Sequence, residues 1–475
     1  MDINQGVSIA LGGDGELAPP SERVAPILEG RAALFRAHFE LDPGFSSREI
    51  LARLILTNDD ATETFDDQQL VDSDSDPLEV DSTFSFLIDG EHIRPDTTFS
   101  LELLETDGGG TDPSEPPRLP EEGAAELTVD PGPREFKVVF VPGHFNGTTL
   151  TITDESKQRL EDALMGASSV ETVSITWRDP YEQSGQLEST EAGFDVMDEV
   201  RESDGLAPNH YVQMFLNRDG CCNDADDFQW SGIGGVPGDG MTGWAVSGRA
   251  SMVMARDGDP GNSTGTAIHE LGHNQGLSHA PCGGAAGPDE NYPYQEPDFP
   301  QAGIGVQGYN LVSGRLYDPA PGSAQGGDYY ADFMSYCWPY WWSDYNWAKN
   351  AVRAKTLSSW DRSTRELTAQ RFVRAVVRPG DSTPHWTVLR VHAVPAEGSA
   401  QRLAGTTAYI DHGAAKTPAP VFAVDLSEGD RRMLFVPLDD AVDLETAALE
   451  LAGSFRARTR LRDVRRIGGP VADRR

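Results

Sequence analysis

The chain has 475 residues, 76 of them acidic and 38 basic, for a net charge of -38. That length exceeds one compact core and implies two to four domains. The charge argues against a nucleic-acid partner or an anionic membrane surface, and no apolar run approaches the roughly 18 residues of a membrane span.

Residues 1–104 read as short strands separated by Asp, Ser, Gly and Pro turns. Partial alternation over 31–41, a β-rich run at 50–57, and further runs at 84–88 and 97–103 predict an all-β sandwich. The opening, 1–11, has no basic region ahead of its short apolar stretch, so it is not a signal peptide, and a removed leader is expected. Over 105–134 the composition turns to Gly, Pro, Glu and Asp, and an acidic linker is expected there.

From 135 strands and helices alternate: a strand at 136–141, an amphipathic helix at 154–165, a strand at 170–177, a helix at 189–201 and a strand at 210–216. A Gly-rich stretch, 232–240, leads to short strands at 243–246 and 250–255, then to a helix capped by Ser263 or Thr264. The unit 135–360 is thus an α/β layer. Strand-like runs return at 371–377, 385–394, 421–424, 432–437 and 447–451, so 361–475 is expected to be a second all-β sandwich.

The chemistry concentrates in residues 269–279, which read H-E-L-G-H-N-Q-G-L-S-H. Residues four apart share a helix face, so His269 and His273 can offer nitrogens to one metal ion, with Glu270 beside them near a bound water. Gly276 can take a positive φ and end the helix abruptly, turning the chain so that His279 supplies a third ligand. Three histidines leave the fourth position of a catalytic zinc open to water. Zinc acidifies that water and polarises a scissile carbonyl, while Glu270, as general base, takes the proton and delivers it to the leaving amine. A histidine-rich helix packed in a core is the bland alternative, which Gly276 and His279 together disfavour.

On these residues the chain resembles the metzincin zinc endopeptidases. Their extended motif has this form, and their methionine turn has a counterpart in Asp332-Phe333-Met334-Ser335-Tyr336-Cys337. The resemblance covers about 135–360, under half of the chain. It implies a central α/β metzincin catalytic domain flanked by the two β-sandwiches, with Met334 as the hydrophobic floor under the metal. It also implies a catalytic Tyr336 that ligates zinc or hydrogen-bonds the tetrahedral intermediate. Taken singly, an ordinary core methionine and a buried structural tyrosine would look the same. Within the family the Met-Ser-Tyr turn and the nearby Cys282 look closest to pappalysin-like or gametolysin-like bacterial secreted enzymes, although the helix at 189–201 departs from the minimal metzincin order.

The four cysteines, Cys221, Cys222, Cys282 and Cys337, allow two bridges or four free thiols. Cys282 and Cys337 follow His279 and Met334 closely, so a bridge between them would tie the zinc segment to the methionine turn; Cys221 and Cys222 would then pair with each other or stay free. Gly243, Trp244, Ala245 and Val246 are the expected edge strand, on which an extended peptide would lie by strand addition. The aromatic run at 338–342 is either a pocket wall or core. Acidic loops at 219–227 and 289–298 offer oxygens to Ca2+, without EF-hand spacing. All four cysteines lie at or after Cys221, so a zinc-blocking cysteine ahead of the catalytic unit is not expected, and the N-terminal β domain is the candidate cover for the cleft.

The leading expectation is a secreted or cell-surface, monomeric endopeptidase with one catalytic Zn2+, acting on protein or glycoprotein substrates. A catalytically silent metzincin-fold binding or adhesion protein is the first alternative. A zinc-dependent amidase on a non-peptide substrate is the second.

Overall fold

The computed structural model describes residues 1–59, 61–106, 117–207, 209–222, 228–236, 249–294, 301–322, 329–359, 368–378, 384–393, 403–413, 415–428 and 431–467. Among them β-strands predominate, helices are few, and no helix is long and apolar enough to cross a membrane.

Alternation builds the N-terminal unit. In Arg48–Thr57 the side chains of Ile50, Ala52, Leu54 and Leu56 turn inward and are buried while their neighbours stay accessible. This strand lies between Thr62–Val71 and Thr98–Glu105 in one sheet; Asp2–Asn4, Ser8–Ala10, Ala33–Ala37 and Phe84–Ile88 form another. Both sheets feed one core, with Ile3, Phe35 and Phe86 from the second meeting Leu54, Phe99 and Leu101 from the first.

The expected linker is corrected in its second part. Arg118–Leu119 and Ala125–Glu126 pair with Thr98–Glu105, and Val129–Asp130 pairs in parallel with Ile27–Leu28. Leu119, Ala125, Leu127 and Val129 are buried. Four spaced apolar side chains suffice to hold this segment, although Pro and Glu dominate its composition.

The central unit comprises β1 (Glu135–Phe145), α1 (Asp154–Ala167), β2 (Thr172–Trp177), α2 (Thr190–Ser203), β3 (His210–Leu216), β4 (Gly232–Val236), β5 (Ala250–Met254) and α3 (Thr264–Asn274). Its strand order is β2–β1–β3–β5–β4, parallel except for β4, which runs antiparallel to β5. Phe136, Phe140 and Phe215 pack on one face with Leu160 of α1 and Leu271 of α3. On the other face Val139, Val212 and Met214 pack with Phe194 and Met197 of α2. A sheet covered on both faces explains why β1 and β3 are nearly continuous apolar runs.

After α4 (Asp344–Ser358) come β6 (Thr368–Val377), β7 (His385–Ala393), β8 (Thr406–Asp411), β9 (Lys416–Ala419), β10 (Phe422–Leu426), β11 (Arg432–Leu438), β12 (Ala448–Gly453) and β13 (Ala457–Arg460). They form a β10–β11–β6–β7 sheet and a β9–β8–β12–β13 sheet. Val373, Val388 and Leu434 from the first meet Ala408, Ile410 and Leu449 from the second in one cluster, which makes a β-sandwich.

This sandwich is continuous with the central unit. β10 pairs antiparallel with β4 (Gly235↔Leu426, Val236↔Asp425), so one sheet of 11 strands passes from one unit into the next. α2 brackets the junction. Its Phe194 and Met197 share a cluster with Phe372, Met433 and Phe435, and its Asp195 and Asp198 both bind Arg374, all three buried. α2 is therefore the seat of the C-terminal sandwich. The N-terminal sandwich docks on the side of α4 instead. There buried Arg31 donates to the carbonyls of Gln5 (2.7 Å) and Val170 (2.7 Å) and lies over the Trp347 ring.

Candidate metal centre

α3 buries Ala267, Ile268 and Leu271 in the core and turns His269, Glu270 and His273 the other way. Ser263 occupies its cap position, but the hydroxyl bonds the Met254 carbonyl (3.2 Å) and the Arg256 amide (2.8 Å) rather than the first turn. The helix ends as the glycine predicts. Gly276 has φ +93°, its N–H donates to the His273 carbonyl (2.8 Å), and the Leu277 N–H donates to the Gly272 carbonyl (3.2 Å), a Schellman closure. The reversal brings His279 back onto the face of His269 and His273.

The Nε2 atoms of these histidines converge. His273 Nε2 lies 3.0 Å from His269 Nε2 and 3.1 Å from His279 Nε2. Each Nδ1 meets a main-chain carbonyl: Phe333 for His269 (2.7 Å), Leu277 for His273 (2.8 Å) and Ala286 for His279 (2.6 Å). A carbonyl can only accept, so each Nδ1 carries the proton and each Nε2 presents a lone pair to the others.

Electrostatics keep the rings neutral. Burial, then His279, push His269 down to about 3. Burial, then the other two rings, hold His273 well below its ordinary value. Burial also lowers His279, against the Ala286 carbonyl and the charge of Glu428. Three neutral bases aiming lone pairs at one point repel unless a cation lies among them. The buried triad could hold a metal ion.

Glu270 lies under β4. A Cβ on Gly232 would meet its Oε1 at 2.5 Å and one on Gly234 its Oε2 at 3.1 Å, so glycine at both positions leaves room for the carboxylate. Glu270 Oε2 accepts from the Ser427 hydroxyl (3.1 Å). Burial, then nearby Glu428, push the carboxyl well above the usual carboxylate range.

The segment after the triad is fixed by a buried carboxylate. Asp332 accepts from the Met334 N–H (2.7 Å), the Ser343 N–H (2.8 Å) and hydroxyl (2.6 Å), and the Asn346 amide (2.9 Å). The resulting turn buries Met334 fully against α3. The Ala280 N–H donates to the Met334 carbonyl (2.9 Å), the Tyr336 N–H to the Cys282 carbonyl (3.2 Å), and Cys282 and Cys337 form a disulfide with Cα atoms 5.7 Å apart. Cys221 and Cys222 are bonded to each other. Tyr336 is 43% exposed, its ring centroid is 4.8 Å from that of His279, and its hydroxyl donates to Glu428. Burial and that bond raise the phenol above its ordinary value, so it stays protonated.

Other expectations fall differently. Gly243, Trp244, Ala245 and Val246 lie outside the described residues; among those described, the antiparallel strand beside α3 is β4. Of the acidic loops expected for Ca2+, 223–227 and 295–300 lie outside the described residues, and Asp289 is held by Lys349 Nζ (2.8 Å) and the Tyr345 hydroxyl (2.9 Å). In the aromatic run Trp341 and Trp342 are core, whereas Trp338 is exposed. Two residues that follow β10, Ser427 and Glu428, reach Glu270 and Tyr336. Neither residue has a sequence signal, and although Gly232, Gly272 and Asp332 fall in segments the sequence marks, their roles depend on what faces them. Compared with known proteins, the chain matches no family model and no curated protein.

Proposed function

We propose that this protein is a secreted metzincin-type zinc endopeptidase that hydrolyses peptide bonds of extracellular proteins or glycoproteins. The observation that carries the reading is the convergence of three Nε2 lone pairs, from His269, His273 and His279, beside buried Glu270. Zn–N bonds of about 2.0–2.1 Å in a tetrahedron place ligand atoms roughly 3.3 Å apart, close to the spacing here. When bound, zinc supplies Lewis acidity to a scissile carbonyl and to a water.

Glu270 holds and moves the proton. Buried beside the triad, it is placed to take a proton from the attacking water and pass it to the leaving amine. Tyr336, still protonated, can donate to the oxygen on which charge develops. Buried Met334 and the Cys282–Cys337 bridge hold this turn against α3. The order β2–β1–β3–β5–β4, with the antiparallel β4 next to α3, supports the resemblance: the outer side of β4, paired with β10 here, is where an extended peptide would lie by strand addition.

The test compares wild type with Glu270→Ala, measuring zinc content and the cleavage of a proteome-derived peptide library. One zinc per chain in both, with cleavage only by wild type, is expected. Equal cleavage by the two proteins would overturn the proposal.

A further inference from the structure

The edge of β4 that faces away from β5 is taken. Residues 425–428 run along it antiparallel, as an added peptide strand would. Asp425 and Leu426 stand opposite Val236 and Gly235. The Ser427 N–H donates to the Gly234 carbonyl (2.9 Å) and the Gly234 N–H to the Ser427 hydroxyl (2.9 Å), which carries the pairing one residue beyond the regular ladder.

The same segment engages the reactive side chains. The Ser427 hydroxyl donates to Glu270 Oε2 (3.1 Å), and Glu428 accepts from the Tyr336 hydroxyl. It also divides the cleft. A cavity of about 430 Å³ on one side is lined by His273, His279, Asp425 and Ser427, and one of about 420 Å³ on the other by His269, Glu270, Tyr336 and Glu428. A strand that crosses between two cavities, pairs with the free edge and occupies both the base and the phenol has the placement of a bound peptide.

We infer that residues 425–428 are an internal pseudosubstrate: the C-terminal sandwich closes the cleft by adding its own strand to β4, and an extended peptide gains the site only by displacing Ser427 and Glu428. This rests on the reading of the triad as a peptide-binding zinc centre. Displacement exchanges one set of strand hydrogen bonds for another, so the extra hold lies in the two side-chain contacts, of which the bond from Tyr336 to charged Glu428 is the stronger kind. The segment begins in the last two residues of β10, which pairs with β11 (Val424↔Met433, Asp425↔Arg432) on the side away from β4.

The experiment uses the full zinc-loaded chain as wild type, Glu428→Gln and Ser427→Ala, with a tripeptide hydroxamate as probe. Its affinity is measured by calorimetry and amide exchange over residues 425–428 by mass spectrometry. Binding about tenfold tighter to Glu428→Gln than to wild type is expected, because the closed population no longer competes as well. Amide exchange over 425–428 should speed up in wild type when the probe is added. Equal affinities, unchanged protection of 425–428 with the probe bound, or no binding to Glu428→Gln would each overturn the inference. Library cleavage run alongside separates the two claims. Displacement without cleavage by any protein leaves the pseudosubstrate standing and removes the peptidase; equal cleavage by wild type and both variants, with 425–428 still protected, does the reverse.

Discussion

Met334 rests against Gly272: a Cβ on that glycine would lie 2.4 Å from the Met334 sulfur and 3.3 Å from the Trp342 ring. The second variable position of the H-E-L-G-H motif thus belongs to the floor beneath the triad. Gly272→Ala is expected to force the thioether aside in a fully packed site and to cost about 1–3 kcal/mol, despite the better helix propensity of alanine. Thermal unfolding and zinc content together check this, and an unchanged melting temperature would show that the floor gives way freely.

The disulfide between Cys282 and Cys337 closes a loop with a sequence separation of 55 that begins just after His279 and contains Met334. By loop entropy its removal in Cys282→Ser/Cys337→Ser should cost about 4 kcal/mol of stability. Denaturant midpoints of the double variant and wild type measure that difference. The Ala280–Met334 and Tyr336–Cys282 main-chain bonds remain, so metal binding at low temperature should survive.

Asp195 carries a pH-dependent share of stability. Burial raises its pKa, but Arg374, followed by His385, outweighs this and leaves the carboxyl below its ordinary value. A depressed folded pKa means that the contribution is fully present above the unfolded value near 3.9 and is lost as pH falls through the folded value. Asp195→Asn should flatten the acid limb of a stability–pH profile. Arg374→Met should cost about 3–5 kcal/mol at neutral pH, because two buried carboxylates lose their shared cation.

Removing metal should leave the fold weaker but assembled, because the triad's Nδ1 bonds to Phe333, Leu277 and Ala286 do not depend on it. Zinc at a thousandfold excess over its dissociation constant stabilises by about 4 kcal/mol. Chelation is expected to lower the melting temperature by the corresponding amount in wild type and to leave His269→Ala/His273→Ala unaffected. An equal shift in both proteins would place the metal elsewhere.

Much of this was legible where the determining interactions are local. His269 and His273 share a face because they sit one helical turn apart. Gly276 reverses the chain because a positive φ there closes the helix. The strands at Phe84–Ile88 and His210–Leu216 stand where their β-rich runs suggest. Thr62–Val71 was hidden because most of it is accessible and polar, so no buried face shapes its composition. β4, sequence GIGGV, was hidden for the opposite reason. Its glycines meet the demand of Glu270 for space, which erases the alternation that marks a strand.

The sequence by itself determined the triad, Glu270 beside it and the turn that completes it, since all lie within eleven residues whose geometry follows from one helix and its cap. Only the tertiary structure decided what stands over them. Ser427 and Glu428 reach Glu270 and Tyr336 from 157 and 92 residues away through the pairing of β10 with β4, and main-chain strand pairing leaves almost no mark on side-chain sequence.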